Sequence, residues 1–474
     1  MLAALPLAAG ATPAGTLPDP DSAGRIEHFS VPPGSLGEAP GGPCFDGRVA
    51  HRRPAPPPEN VEPIRQKYAG WLTVDLAPGA DNTAVAPATL AHTTAPIDLA
   101  ALAPAPLQGT AADIARVRSV FERARTEKST TRIALWGDSH TTGDNLLGQL
   151  RRVLQARYGD GGTGFVWPFG RASGTTMGRA TMCSGGEWMF DAVSSAPERS
   201  GLGLSGVAAT SSDPAAFAWV SVEDDTRAGA DHRAVLQFFR DPGAGTLRVS
   251  IDSAPVFAIN TAGLAGPGTA IVTVAAGSHR LTLRPAGDGP VRLTGIALER
   301  DTPRGGGVVV DGLGVVGRPL AAWNTWPEAE MAAWMKPRPY DLFLLVGGSN
   351  DARDTHLTPA TFRATTVAAL AAFRRVAPEA ACVLIGPADR ALLLDHQRYV
   401  LWQSHPWINA IFAEVAPAAH CATWNLQAAM GGEGSAFAWR GAALMAPDLL
   451  HFTPNGYREL GNRLLALLDP QGPS

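Results

Sequence analysis

Cysteine is scarce in this chain: Cys44, Cys183, Cys382 and Cys421 are the four present among 474 residues. No two of them form a C-x-x-C pair, which leaves no disulfide-dense scaffold and no cysteine-based metal site. Cys382 and Cys421 each open a short β-like run, so they are either neighbours in one sheet or separate buried thiols. Charge is thin as well, with 17% charged residues and a formal net charge of -4. No dense Lys/Arg block occurs, so the footprint of a nucleic-acid binder is missing and DNA or RNA is not an expected partner. No apolar stretch reaches the length of a transmembrane helix.

What is present describes a globular, loop-rich chain: 45% hydrophobic residues, with 52 Gly and 40 Pro to make turns. Its length predicts two lobes, or one domain with a large insertion. Met1-Leu2-Ala3-Ala4-Leu5-Pro6-Leu7-Ala8-Ala9 is either the end of a secretory signal that lacks its positive n-region or an Ala-rich tail; the first reading is favoured, and a periplasmic or extracellular location is expected. Residues 1–110 are rich in Pro, Ala and Gly, and Arg53-Pro54-Ala55-Pro56-Pro57-Pro58 favours extended polyproline conformation; this segment reads as a leader followed by a linker or wrapping arm.

From Asp113 the pattern changes. Ile114, Val117, Val120, Phe121 and Ala124 recur at helical spacing, Arg132 to Trp136 reads as a buried strand, and Leu146, Leu147, Leu150, Val153 and Leu154 mark a helix ending near Gly159. Across 165–305 the period switches to β, with runs at 218–222, 234–239, 247–251 and 281–283 separated by turn signals such as Asp241-Pro242-Gly243. That spacing predicts an inserted β-sandwich, jelly-roll-like. Helix and strand then alternate again: strands at 342–346, 382–385 and 421–424, helices at 359–376, 396–415 and 454–468. The fold class expected is therefore α/β, a three-layer α/β/α parallel sheet built from 111–164 plus 306–474, with ligands at the carboxyl ends of the strands.

Gly137-Asp138-Ser139-His140 sits where such a strand ends, on a sharp turn toward a helix that can present a nucleophile. A serine hydroxyl needs a base to take its proton and an acid to orient that base. Asp448-Leu449-Leu450-His451 offers both, just ahead of the last helical pattern. The alternative role for this segment, a plain helix entry with Thr453 as cap and Pro454 as first residue, leaves the carboxylate and imidazole unexplained. Donors for an oxyanion are offered by Asn350, after Val346-Gly347-Gly348-Ser349, and by the glycine-containing loop that follows Val308-Val309-Val310.

Taken in order, these four segments resemble the SGNH (GDSL-type) hydrolase superfamily, over about 111–164 and 306–474. The resemblance implies a flavodoxin-like sheet, Ser139 as nucleophile, Asp448 and His451 as its partners, and Ser139 N–H, Gly317 and Asn350 as oxyanion donors. Gly314, three residues earlier in the same loop, competes with Gly317 for that place. His140 stands where the family usually has Leu. With Thr141-Thr142-Gly143-Asp144, it looks like the branch of peptidoglycan and polysaccharide O-acetylesterases, some of which carry a carbohydrate-binding-module-like β-sandwich after the first helix. The implied substrate is an O-acylated carbohydrate, and no cofactor or metal is implied. An O-acetyltransferase, a lipase or thioesterase, and a carbohydrate-binding envelope protein with a vestigial hydrolase lobe remain open.

Two other chemistries lack their partners. Asp138-Ser139-His140 also has the D-x-H spacing of a two-metal phosphoesterase, but the chain has neither a Gly-Asn-His-Asp/Glu segment nor a Gly-His-x-His. No Gly-x-Ser-x-Gly elbow of the α/β-hydrolase type occurs either. His140 is expected beside the site, on substrate, or exposed on the turn. Trp167, Trp188 and Trp219 are expected to fill the sandwich core, with sugar stacking as the other use of such rings.

Overall fold

The computed structural model describes residues 26–31, 73–75, 102, 105–169, 175–177, 180–193, 200–222, 232–252, 256–274, 277–300, 306–354, 356–393, 398–402 and 404–472. The signal-like residues 1–9, Cys44 and the proline run 53–58 lie outside them.

A five-stranded parallel sheet forms the first lobe. Its strands are β1 (Thr131–Trp136), β2 (Val308–Gly312), β3 (Leu342–Val346), β4 (Ala381–Ile385) and β5 (Ala422–Trp424), arranged 2-1-3-4-5. That is the flavodoxin-like order. Nearly every strand residue is buried because both faces are covered, which is why these strands read as unbroken apolar runs. In β1, Ile133 and Leu135 pack with Val117, Leu147 and Leu464, from helices Ala111–Thr126, Leu146–Tyr158 and Pro454–Leu468. Ala134 and Trp136 point the other way, toward Trp334, Phe362 and Ile408, from helices Glu328–Met335, Pro359–Val376 and Ser404–Val415.

Local chemistry sets the helix ends. Thr110 and Asp113 close a reciprocal capping box, Thr453 accepts from Gly456 N–H ahead of Pro454, and Gly159 ends its helix with φ +99°. The helix expected over 396–415 starts only at Ser404. Arg398–Leu401 is instead a strand between Ala391–Leu393 and Thr73–Asp75. Pro406 explains the late start, since proline is tolerated in a first turn but not in a helix interior.

Cys382 and Cys421 stand side by side at the start of neighbouring strands, 4.9 Å apart between Cα atoms, and form a disulfide; Cys183 is disulfide-bonded too. The free-thiol alternative is thereby excluded for Cys382 and Cys421.

Two further sheets pack face to face around a shared apolar core that includes Met182, Val220, Leu236, Phe238, Val249 and Val272. Ile26–Val31 lies at the edge of one of them, parallel to Gly266–Val274. Trp188 is buried in this core and donates to Gly185 O, whereas Trp167 and Trp219 are half-buried.

A buried charge cluster joins the two lobes. Glu299, on the long strand Val291–Arg300, is 2% exposed and accepts from Arg132 and Arg338, at 2.6 Å each, and from Arg233. Arg338 also pairs with Asp311, which accepts from Tyr340 Oη at 2.5 Å and from Phe165 N–H at 2.8 Å. Burial alone would push the Glu299 carboxyl up, but the three guanidinium groups outweigh it and hold it far below the usual carboxylate range. Glu299→Gln is expected to cost about 3 to 5 kcal/mol at pH 7, because it leaves buried cations without their counter-charge. A depressed carboxylate contributes stability above its unfolded value and loses it as pH falls. The gap between wild type and variant in urea melts should therefore narrow below about pH 4. A gap that is absent at pH 7 would contradict the cluster.

Candidate active site

The ends of β1, β2 and β3 and the loop before the last helix meet at one rim of the parallel sheet. Just after β1, Asp138 O accepts from Thr141 N–H at 3.0 Å and its Oδ1 accepts from His140 N–H at 3.0 Å. These bonds wind Ser139–Thr141 into a single 3₁₀ turn with Ser139 at its head.

Ser139 Oγ lies 2.9 Å from His451 Nε2, and His451 Nδ1 lies 2.6 Å from Asp448 Oδ2. Asp448 Oδ1 accepts from the backbone N–H groups of Leu450, at 3.1 Å, and His451, at 3.0 Å. The tight loop this creates puts Leu449 at φ +50°, an uncommon conformation for a branched residue, with its side chain buried. Partial burial pushes the Asp448 carboxyl up, but hydrogen bonds from the His451 ring and from both backbone N–H groups bring it down to about 2. An ionised acceptor at Nδ1 fixes the proton there, so Nε2 is free to receive the Ser139 proton. The site is open: the His451 side chain is 36% exposed and that of Asp448 is 49% exposed.

Asn350 follows β3 and directs Nδ2 to Asp138 Oδ2, at 3.2 Å, and to Arg318 O, at 3.3 Å. Both bonds are long, which leaves room for one hydrogen to be shared with a third acceptor. Gly317 and Gly314, the two candidates after β2, differ in their surroundings. A Cβ on Gly314 would meet Thr141 Oγ1 at 2.2 Å and Asp138 O at 2.9 Å, so this glycine permits close packing against the nucleophile turn. Gly317 has φ +76° and nothing within 4 Å of a Cβ, so space remains beside it. Neither the Ser139 nor the Gly317 backbone N–H donates to a backbone acceptor among the described residues.

His140 is buried, contrary to one expectation. Its Nδ1 lies 3.2 Å from Tyr457 Oη and its ring centroid is 5.4 Å from that of His451. Burial, reinforced by the nearby His451, pulls its pKa down despite the opposing charge of Asp138, which favours the neutral imidazole. Two contacts were not foreseen from the sequence. Asp138, weighed there only as part of a D-x-H spacing, anchors Asn350, and Arg318 offers its carbonyl to the same amide; nothing in the one-dimensional pattern marks either contact. Among the described residues no cluster of His, Cys, Asp and Glu is arranged to hold a metal ion, and no helix is long and apolar enough to cross a membrane.

Fold and site together define a parallel α/β/α domain with a Ser-His-Asp relay at the carboxyl ends of its strands. No family model matches the chain, and no curated protein matches it in sequence. Among solved structures it is similar to one described as a peptidoglycan O-acetylesterase in action, with TM-score 0.61 and 24% identity, covering 76% of this chain and 97% of that one. The family two carbohydrate esterase of Cellvibrio japonicus matches at 13% identity and TM-score 0.24, over 60% of this chain and 98% of that one. The Clostridium thermocellum enzyme with cellohexaose gives 11% identity, TM-score 0.25, and 59% and 97% coverage. Only the first likeness is close enough to bear on the fold.

Proposed function

We propose that this protein is a serine esterase of the SGNH type that removes small acyl groups, acetyl above all, from a carbohydrate of the cell envelope. The observation that carries the proposal is the unbroken relay from Ser139 Oγ through His451 to Asp448, at 2.9 and 2.6 Å. His451 takes the Ser139 proton as the hydroxyl attacks the ester carbonyl, while Ser139 N–H, Gly317 N–H and Asn350 Nδ2 hold the oxyanion. His451 then protonates the departing sugar alkoxide and activates water to release the acyl group.

The open site suits a polymer better than a small free ester, because half-exposed His451 and Asp448 leave room for neighbouring sugars. The likeness to a peptidoglycan O-acetylesterase runs over nearly all of that protein and so supports a carbohydrate ester as substrate. On this reading 111–164 plus 306–474 form the hydrolase domain, 165–305 the inserted sandwich, and 1–110 a leader and arm. The disulfides fit an oxidising compartment and so an exported enzyme.

Acetate release from O-acetylated peptidoglycan, followed alongside p-nitrophenyl acetate hydrolysis, tests the proposal. Release from the glycan with water as acceptor is the expected result. Turnover only when a sugar acceptor is supplied would make the protein a transferase. Inertness toward both substrates and toward a serine-directed fluorophosphonate would overturn the proposal.

A further inference from the structure

Arg318 follows Gly317 and is 3% exposed, yet Nη1 and Nη2 of its guanidinium have no hydrogen-bond partner among the described residues. The group lies instead over two indoles, 5.5 Å from the Trp136 ring and 5.0 Å from that of Trp323. Trp136 is the last residue of the strand that carries Ser139, so this contact ties the loop after β2 to the nucleophile's own strand. Two further donors tie the same loop to the loop after β3: Asn350 Nδ2 donates to Arg318 O, and Leu320 N–H donates to both carboxylate oxygens of Asp351, at 3.0 and 2.9 Å. From the loop that carries Gly317, Arg318 thus touches Asn350 and the strand that leads to Ser139.

Charge gives the side chain a second task. Asp138 is 1% exposed, and it holds Asn350 through one oxygen and His140 N–H through the other. A buried carboxylate beside an oxyanion donor opposes the negative charge that develops there during acyl transfer. Burial lowers the Arg318 pKa to about 9, while the charges of Asp138 and Asp351 pull it upward, so at neutral pH the group is a cation whose field reaches both carboxylates, and Asn350 Nδ2 links the two residues by donating to Asp138 Oδ2 and to Arg318 O.

Resting on the esterase reading, we infer that Arg318 is a positioning residue of the oxyanion site, which fixes the Gly317 loop on Trp136 and offsets the buried charge of Asp138. It touches neither the substrate nor the reacting atoms. Its effect is therefore expected in kcat, through the donors it holds, and not in KM.

Arg318→Met separates charge from packing, since an unbranched apolar chain can still cover the two indoles. It is expected to lose about tenfold or more in kcat on p-nitrophenyl acetate, with KM within about twofold. Arg318→Lys keeps the charge and is expected to stay within about fivefold of wild type in kcat. In an Asp138→Asn background the loss caused by Arg318→Met should shrink to less than about threefold, because there is then no carboxylate to offset. Equal losses in both backgrounds, a loss carried by KM, or a lysine variant as poor as the methionine one would each overturn the inference. Thermal melts identify a variant that does not fold; if methionine is that variant, the same cycle with Arg318→Gln decides. Activity of wild type and its absence in Ser139→Ala report on the esterase reading separately, so failure of one cannot be taken for failure of the other.

Discussion

Ser139→Ala is expected to lower kcat on p-nitrophenyl acetate by on the order of a million-fold, the scale seen when the nucleophile of a serine triad is removed. The hydroxyl is the atom that becomes covalently bonded to the acyl group, and no other nucleophile stands in the relay: His451 Nε2 faces Ser139 Oγ, and His140 is buried with its Nδ1 against Tyr457. Activity should not fall to the uncatalysed rate, because backbone donors and substrate binding survive and leave a residue of about 10³ to 10⁴ over water. The fold should be indifferent to the change, since among the described residues the only side-chain hydrogen bond of Ser139 is the one to His451. Near-wild-type turnover by a correctly folded Ser139→Ala protein would remove the nucleophile from the mechanism. Labelling by a fluorophosphonate, abolished in the same variant, provides an independent reading of the same atom.

Most of the parallel lobe was legible because its signals are local. A run such as Leu342–Val346 is buried on both faces, and Thr453-Pro454 announces a helix start through a side-chain cap. The strand over Arg398–Leu401 was misread for the complementary reason. Tyr399, Val400 and Leu401 can serve either period, and what decides is pairing with Thr73–Asp75, more than three hundred residues away. The relay was legible because Ser139, Asp448 and His451 each come with their own turn. Asp138 and Arg318 were not, because what distinguishes them is burial and reach across loops. An Asp in a turn and an Arg after a glycine are ordinary in a sequence. A carboxylate at 1% exposure holding an amide from another strand end is not. The lobe-joining cluster around Glu299 escaped notice in the same way, since its arginines come from three separate segments.

Asp448→Asn, nearly the same shape as the native residue, is expected to cost about 10⁴-fold in kcat, as much as or more than Asp448→Ala. The reason lies in the backbone of the loop. Two N–H groups, from Leu450 and His451, donate to Asp448 Oδ1, and in an asparagine only the carbonyl oxygen can accept them. The amide nitrogen is then forced toward His451 Nδ1, where the carboxylate oxygen Oδ2 now sits at 2.6 Å. An N–H donor there requires a lone pair on Nδ1, so the imidazole proton moves to Nε2, the atom that faces Ser139. A protonated Nε2 cannot take the serine proton. Alanine imposes no such tautomer: with Asp448 half exposed, water can accept from Nδ1–H and leave Nε2 basic. Imidazole ¹⁵N chemical shifts give the direct check, with the proton on Nδ1 in wild type and on Nε2 in Asp448→Asn. Should the asparagine variant prove far more active than the alanine one, Asp448 would be acting by charge or position and not by selecting the tautomer of His451.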